Sequence, residues 1–513
     1  MSRTKKILSG ISFGYLNQFL TMLVGLWLTP FLLWRIGQAE YGLWLVGTQV
    51  LTYLTLMDFG VVALLPRATA YATGRAGGIS QAKDLPDVIG QTARLTLWQM
   101  PLVALAAGGL WLAMPQAWEP LRWPLGLVML SFVLTFPLRI FQASLQGLQD
   151  LAFIGKTLLA AWVTGFAITV SMVCYGWGLY SLAAAWVVTQ VISISIFGVR
   201  LIHRFPKVLP RRLPKFTRGS ARTHLGKGFW VSVAQIAQVL LNGTDILILG
   251  RVLGPLAVVP YACTGKLIGV LSNQPQMLMQ SAGPALSELK MSETRQRLFQ
   301  VCTALSQAML MVSGAVVCIV LSVNQAFVNW WVGENQYAGG LVSVLLLTGM
   351  LLRHLNTTAV YSIFCFGYER RISMTTLLDG AVTVCGALVF VPLLGAAGAP
   401  LGTILGVVFI SLPLNLSALA RESDVSLALL LSQHWPWFWR FSILAAAAWV
   451  STEMFTPRGI LGIVVVAMLT GLAYLLMMLP LALRGQLGLY VRPRLFALRA
   501  KLLPAFPLGD TEA

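Results

Sequence analysis

YSLAAAWVVTQVISISIFGVRLIHRFPKVLPRRLPKFTRGSARTHLGK, residues 180 to 227, changes character at Arg200. From Tyr180 to Val199 no side chain is charged, and the apolar run to Ile202 is long enough to cross about 30 Å of hydrocarbon as a helix. From Arg200 to Lys227 nine residues are Lys or Arg. An uncharged helical stretch that ends in a cationic loop reads as a membrane span entering the cytoplasm, where an anionic leaflet attracts Lys and Arg. The same loop could be taken for a nucleic-acid patch, but its place between two apolar runs assigns it to topology and to anionic phospholipids, so no nucleic-acid partner is expected.

Runs of similar length flank it on both sides. They fall near 14–34, 41–65, 92–114, 123–146, 157–178, 180–202, 229–250 and 256–285, then 298–323, 340–366, 374–394, 396–420, 438–455 and 459–482. The expectation is therefore an all-α membrane protein of about 14 transmembrane helices. Composition agrees: of 513 residues 57% are hydrophobic and only 10% charged, against about 25% charged in a soluble domain. Lipid must be the solvent for most of the surface. The N-terminal MSRTKK and the run after it could pass for a secretory signal, but that run is long enough to span and no small-residue cleavage site follows.

An even number of spans puts both termini on one side, and the charge bias names it. With the N-terminus in the cytoplasm, 29 of the 36 Lys and Arg fall on cytoplasmic segments and four (Arg35, Arg122, Arg251, Arg458) on the other face. A multi-pass protein of the bacterial inner membrane with both termini cytoplasmic is expected. The net charge of +19 follows from the same bias. Trp and Tyr cluster at span ends, as in Trp330, Trp331 and Tyr337 or Trp435, Trp437 and Trp439, in the manner of an interfacial belt.

The basic loop also separates two halves that read as repeats. Arg35 matches Arg251, Gly37 matches Gly254, Tyr41 matches Tyr261, Pro66 matches Pro284, Gly147 matches Gly367 and Gly178 matches Gly395, at offsets of 216 to 220 residues. The organisation expected is a six-helix bundle over 1–202, the cytoplasmic loop 203–227, a second six-helix bundle over 228–420, two appended helices over 421–482 and a basic cytoplasmic tail over 483–513. Repeats of this kind would flank a central substrate path.

Catalytic chemistry has little to stand on. The six cysteines lie in apolar stretches without a CxxC pair, no two histidines have ligand spacing, and GxxxxGK[ST] is absent, so neither a metal nor a nucleotide cofactor is expected. The longest outer segment, Val323 to Gly339, holds Glu334 as its one acid, too little for an acidic catalytic pair; the chain is not expected to be an enzyme.

Charges inside spans carry the functional reading, because each costs about 2.5 to 3.5 kcal/mol on insertion. Asp58, Arg139, Lys266 and Arg353 must face a wet cavity or one another. Lys266, Asn273, Gln276 and Gln280 share one helical face, and Arg139, Gln142, Gln146 and Gln149 form a similar stripe. Pro275, within SNQPQ, is expected to break its span. Arg139, Lys266 and Arg353 are candidate contacts for a pyrophosphate, which an Arg fork or a Lys point charge can hold; the alternative is pairing with acids such as Asp58, Asp245 or Asp379, or capping of helix ends. Asp58, on a face with Thr48, Thr52 and Thr55, is the candidate coupling carboxyl, or else bonds the loop beyond its helix. Gln142, Asn273, Gln276 and Gln280 are the expected cavity lining.

These residues sit in segments with a family likeness. NQFLTMLVGLWLTPFLLWRIGQAEYGLWLVGTQVLTYLTLMDFGVVALLPRATA, residues 17–70, with its EYGLW and DFG, resembles the opening helices of polysaccharide flippases in the multidrug/oligosaccharidyl-lipid/polysaccharide exporter superfamily. NGTDILILGRVLGPLAVVPYACTGKL, residues 242–267, and GPALSEL, residues 283–289, resemble that family's seventh and eighth helices. The resemblance implies two six-helix bundles around a central cavity and export of an isoprenoid-pyrophosphate-linked oligosaccharide to the periplasmic face. The lipid-linked oligosaccharide is the expected partner, with a polysaccharide polymerase or other assembly proteins beside it. A drug or small-solute exporter of the same superfamily is the alternative; it would favour acidic and aromatic groups, whereas the mid-span charges here are three basic to one acid.

Overall fold

The computed structural model describes residues 21–76, 78–210, 214, 229, 232–292, 294–366, 368–484, 487–489 and 492. Among them every regular element is a helix. In chain order these are α1 (Thr21–Arg35), α2 (Gln38–Leu54), α3 (Val61–Arg75), α4 (Leu85–Leu112), α5 (Glu119–Thr135), α6 (Ile140–Gly147), α7 (Leu151–Cys174) and α8 (Leu179–Arg204). Then come α9 (Ser232–Asn242), α10 (Thr244–Val252), α11 (Pro255–Ser292), α12 (Arg295–Val332), α13 (Gly340–Cys365) and α14 (Glu369–Leu394). The chain ends in α15 (Gly398–Gly406), α16 (Leu412–Glu422), α17 (Leu427–Ser432), α18 (Trp435–Met454) and α19 (Gly459–Arg484). In lipid no water satisfies a free N–H or C=O, so backbone that closes its own hydrogen bonds is the stable solution.

Nine helical stretches among the described residues are long and apolar enough to cross a bilayer, or up to eleven if each of two bent pairs counts as one span. Fourteen crossings are therefore not confirmed. One of the nine, Arg370–Glu422, is 53 residues long, over twice the roughly 20 that a crossing needs. It contains a turn at Gly395, where φ is +62°. The protein is a multi-pass membrane protein, and its surface agrees: Leu105, Leu112, Leu393 and Leu461 are each at least 70% exposed on helices apolar enough to span.

Three spans read from the sequence turn out otherwise, one of them the run 229–250, where α9 and α10 meet at a bend of 49°. The run 41–65 is two helices, α2 and α3, bent by 52° around Asp58, Phe59 and Gly60. The expected break at Pro275 does not occur, since α11 runs from Pro255 to Ser292 through it. A proline removes one ladder bond and crowds one carbonyl, and a long helix in a membrane absorbs this where neighbours or local adjustment satisfy the freed group.

By packing, the described residues group into two units: residues 1–262 with Ala387–Ala399, and Cys263–Gly386 with Pro400–Ala513. In the first, Val62, Leu65, Ile89, Ile140, Leu145, Phe197 and Leu201 form a core contributed by α3, α4, α6 and α8. In the same unit α2 lies against α10 and the start of α11, where Gln38 Nε2 donates to the Leu256 carbonyl at 2.8 Å. Gly42 makes the approach possible, because a Cβ there would stand 2.1 Å from the Pro255 carbonyl oxygen. In the second unit α12 is the central helix, packing on α13, α18 and α19 through Leu310, Val317, Leu347, Trp437, Phe441 and Tyr474.

The sequence repeat has a backbone counterpart. Gly37 (φ +94°) and Gly254 (φ +87°) each precede a helix start, and Gly178 (φ +51°) and Gly395 (φ +62°) each turn between consecutive helices. Both pairs were matched at an offset of 217 residues, and at a positive φ only glycine is unstrained. Gly367, the match of Gly147, lies outside the described residues, as do most of the basic loop beyond Pro210 and the tail beyond Arg492.

Candidate substrate and coupling sites

In the first unit the break between α2 and α3 is made by a tight turn, Thr55–Asp58, followed by Phe59 and Gly60 at φ +46° and +71°. Asp58 is 2% exposed, and its Oδ1 accepts the Gly60 N–H at 2.6 Å. That is an aspartate turn, in which the side chain replaces a backbone acceptor two residues on. The Asp58 carbonyl, which the break leaves without a helical donor, accepts Gln99 Nε2 from α4 at 3.0 Å. Thr48, Thr52 and Thr55, expected beside Asp58, donate instead to the carbonyls of Leu45, Thr48 and Thr52 within their own helix.

Arg139 occupies a second short tight turn, Phe136–Arg139, between α5 and α6. It attracts Asp58 electrostatically without forming an ion-pair contact, so the fold brings together two residues singled out by the sequence. Its guanidinium carbon lies 5.9 and 5.8 Å from the ring centroids of Phe132 and Phe136, and its Nη1 is buried with no hydrogen-bond partner among the described residues. Non-helical backbone at membrane depth is tolerated only against protein or water. Asp58 sits at such a break, whereas Arg139 lies in a short tightened helical turn within the continuous stretch Gln116–Gly147. Gln142 and Gln146 lie on the exposed side of α6, and Gln149 lies in the turn beyond it.

Lys266, in α11, belongs to the second unit and is half-buried. Among the described residues it makes no ion pair. Asn273 is exposed further along the helix. The side chains of Gln276 and Gln280 lie outside the described residues.

Arg353 is held differently. Its Nη1 and Nη2 donate to Asp379 Oδ2 at 3.0 Å and Oδ1 at 3.4 Å. Thr383 Oγ1 donates to Asp379 Oδ1 at 3.2 Å, and Ser411 Oγ donates to Oδ2. Ser411 ends a widened turn, Val407–Ser411, interrupting the helical run from α15 to α16. Gly406 just before it leaves room for the carboxylate, since a Cβ there would be 2.2 Å from Asp379 Oδ1. Beside Arg353, His354 Nδ1 is 2.8 Å from Ser313 Oγ, and Asn415 Nδ2 donates to Asn356 Oδ1 at 2.9 Å. Of the two readings open to Arg353 in the sequence, the structure shows the acid pair. Asp245 likewise has a structural partner, Tyr261 Oη at 2.9 Å.

A span broken at a buried aspartate, in a chain whose described regular elements are helices with apolar outer faces, defines a polytopic α-helical membrane protein. The lipid II flippase MurJ in an inward closed conformation superposes with a TM-score of 0.64 at 12% identity, over 92% of this chain and 99% of that one. An inward-facing multidrug resistance MATE family transporter of the MOP superfamily superposes with a TM-score of 0.57 at 16% identity, over 76% and 94%. This chain therefore shares the fold of these two structures. The model of the family described as polysaccharide biosynthesis protein matches residues 104–337, which meets the resemblance read from the sequence. No curated protein sequence matches the chain.

Proposed function

We propose that this protein translocates an isoprenoid-pyrophosphate-linked oligosaccharide, a precursor of O-antigen, exopolysaccharide or capsule, from the cytoplasmic to the periplasmic leaflet of the bacterial inner membrane by alternating access. The observation that carries the reading is Arg139, whose buried Nη1 has no hydrogen-bond partner among the described residues and which makes no ion-pair contact with Asp58. A donor held in that state suits an incoming phosphate oxygen, to which a guanidinium bonds strongly. In the second unit Lys266 offers a further mid-span cation with no acid bonded to it among the described residues. Arg353 is engaged by Asp379, and we assign it a structural part.

Physical need supports the same reading. Each sugar hydroxyl buried without a partner costs roughly 2 to 7 kcal/mol, so such a molecule does not cross lipid unaided. The family description, polysaccharide biosynthesis, agrees with this substrate class. Asp58 remains our candidate for coupling to an ion gradient, and the assembly proteins that consume the product, a polymerase among them, are its proposed partners. The rival reading is export of a cationic drug.

The test uses purified protein in vesicles carrying a tagged isoprenoid-pyrophosphate oligosaccharide, with a membrane-impermeant lectin to count headgroups that have crossed. Parent protein should carry the tag, Lys266→Ala and Arg139→Ala should each slow it about tenfold or more, and Lys266→Arg should recover part of the rate. Full activity in the double alanine variant would remove both cations from the substrate path. Drug flux without lipid crossing would establish the rival.

A further inference from the structure

The first unit carries a groove of about 460 Å³ that the transport reading does not use. It lies between the start of α7 and the last turns of α8. Phe153, Ile196 and Val199 form its apolar part, and Arg200, His203 and Arg204 its cationic end. Arg200 and Arg204 are one helical turn apart and so share a face of α8. Arg200 is fixed in place, because its Nε donates to Asp150 Oδ2 at 2.9 Å and its guanidinium stacks 4.4 Å from the Phe153 ring centroid. Arg204 and Lys207 are exposed, and neither makes an ion pair among the described residues.

The groove continues onto surface that faces lipid. Val191, Val199 and Ile202 on α8 are about half exposed, at 47%, 55% and 53%, within a helix that spans the membrane. The positive-inside bias alone would account for basic residues at a span end. It does not account for a cavity beside them, or for one guanidinium clamped by an acid and an aromatic ring so that its remaining donors have a set direction.

We infer that this groove binds an anionic phospholipid, its phosphate on Arg200, His203 and Arg204 and one acyl chain along Phe153, Ile196 and Val199. Charge complementarity selects the headgroup, since basic pockets between spanning helices take anionic lipid headgroups. The apolar wall selects lipid over a soluble anion, which gains nothing from Val199 and Ile196. The site is separate from Arg139 and Lys266, so its failure and that of the transport reading are distinguishable.

Native mass spectrometry of the full chain, released from detergent with phosphatidylglycerol or with phosphatidylcholine of the same acyl chains, tests it. The parent should retain phosphatidylglycerol about tenfold more strongly, a single-site preference within reach of two or three basic groups at an anionic headgroup. Arg204→Gln should remove most of that preference, and Val199→Trp, which fills the groove, should lower retention of both lipids; Arg200 stays intact because its Asp150 pair supports the fold. Equal retention of the two lipids by the parent, or unchanged phosphatidylglycerol retention in both variants, would overturn the site. Displacement of the lipid by glycerol phosphate would assign the groove to a free anion and overturn the lipid reading as well.

Discussion

Asp58 and Asp379 are both buried aspartates in a membrane protein, yet their surroundings call for opposite experiments. Asp379 is 0% exposed and accepts from Arg353, Thr383 and Ser411. Removing one member of a buried pair leaves the other uncompensated, at about 3–5 kcal/mol, whereas replacing both by apolar groups of similar volume is often neutral. Arg353→Met alone should therefore lower the melting temperature in detergent markedly, and Arg353→Met with Asp379→Leu should restore most of it. A melting temperature in the double variant no better than in the single would show that the pair is not what holds this region. Among the described residues Asp58 meets no ion-pair partner, and its Oδ1 accepts one backbone N–H. Asp58→Asn keeps that acceptor and removes the charge, so the fold should persist while gradient-driven transport slows. Vesicles given a proton or sodium gradient would show it, and a parent-like response to both gradients would leave Asp58 with only its turn. The sequence made Asp58 and Arg139 legible because a charge in a span is costly wherever it sits. Gln99 was not legible: it serves a backbone carbonyl that exists as a free acceptor only once the helix breaks. Trp437 was misread as interfacial for a related reason, since its neighbours Trp435 and Trp439 are exposed but it is 4% exposed and donates to Tyr474 Oη at 3.1 Å.

Among elements, the informative positions are the places where helices stop. Glycine at Gly37, Gly178, Gly254 and Gly395 was readable as a repeat because a left-handed turn restricts the residue that can fill it. The 52° break at Gly60 was not readable, since DFG in an apolar run looks like any other stretch of a span. Gly60 has φ +71°, and a side chain in that region costs about 1–2 kcal/mol. Gly60→Ala should accordingly reduce folded yield, measured by size-exclusion recovery after mild heating, and unchanged recovery would mean that the turn can straighten. The junction between α17 and α18, outside the spans, is sensitive to acid. His434 Nδ1 donates to the Leu430 carbonyl at 3.0 Å and Nε2 is 2.8 Å from Ser306 Oγ, an arrangement made for neutral imidazole. Burial holds its pKa below the usual 6.5. A group with a lowered folded pKa binds protons more readily when unfolded, so its contribution is intact above 6.5 and is lost as pH falls toward the folded value. His434→Gln should flatten the decline in melting temperature below pH 6.5, and an identical decline in both proteins would place the acid sensitivity elsewhere.

For the molecule as a whole, topology is the first thing to measure. The charge bias puts Arg204 and Lys207 in the cytoplasm and Trp330 and Trp331 on the opposite face. In a cysteine-free background, an impermeant thiol reagent applied to intact cells should label a cysteine at position 335 and spare one at position 207; the reverse would invert the protein. The fold class was legible because apolar length and charge asymmetry are one-dimensional properties. The grouping into units was not, because it depends on which helices touch. One consequence of that grouping concerns time. The first unit takes residues 1–262 and then Ala387–Ala399, so its final piece is made only after more than a hundred residues of other sequence have been synthesised. Its early helices enter the membrane before that last piece is available to pack against them. Nascent chains stalled with Ala387–Ala399 still inside the ribosome and with that segment well clear of it should differ in protease resistance of the first unit, the longer one alone presenting every segment that unit needs.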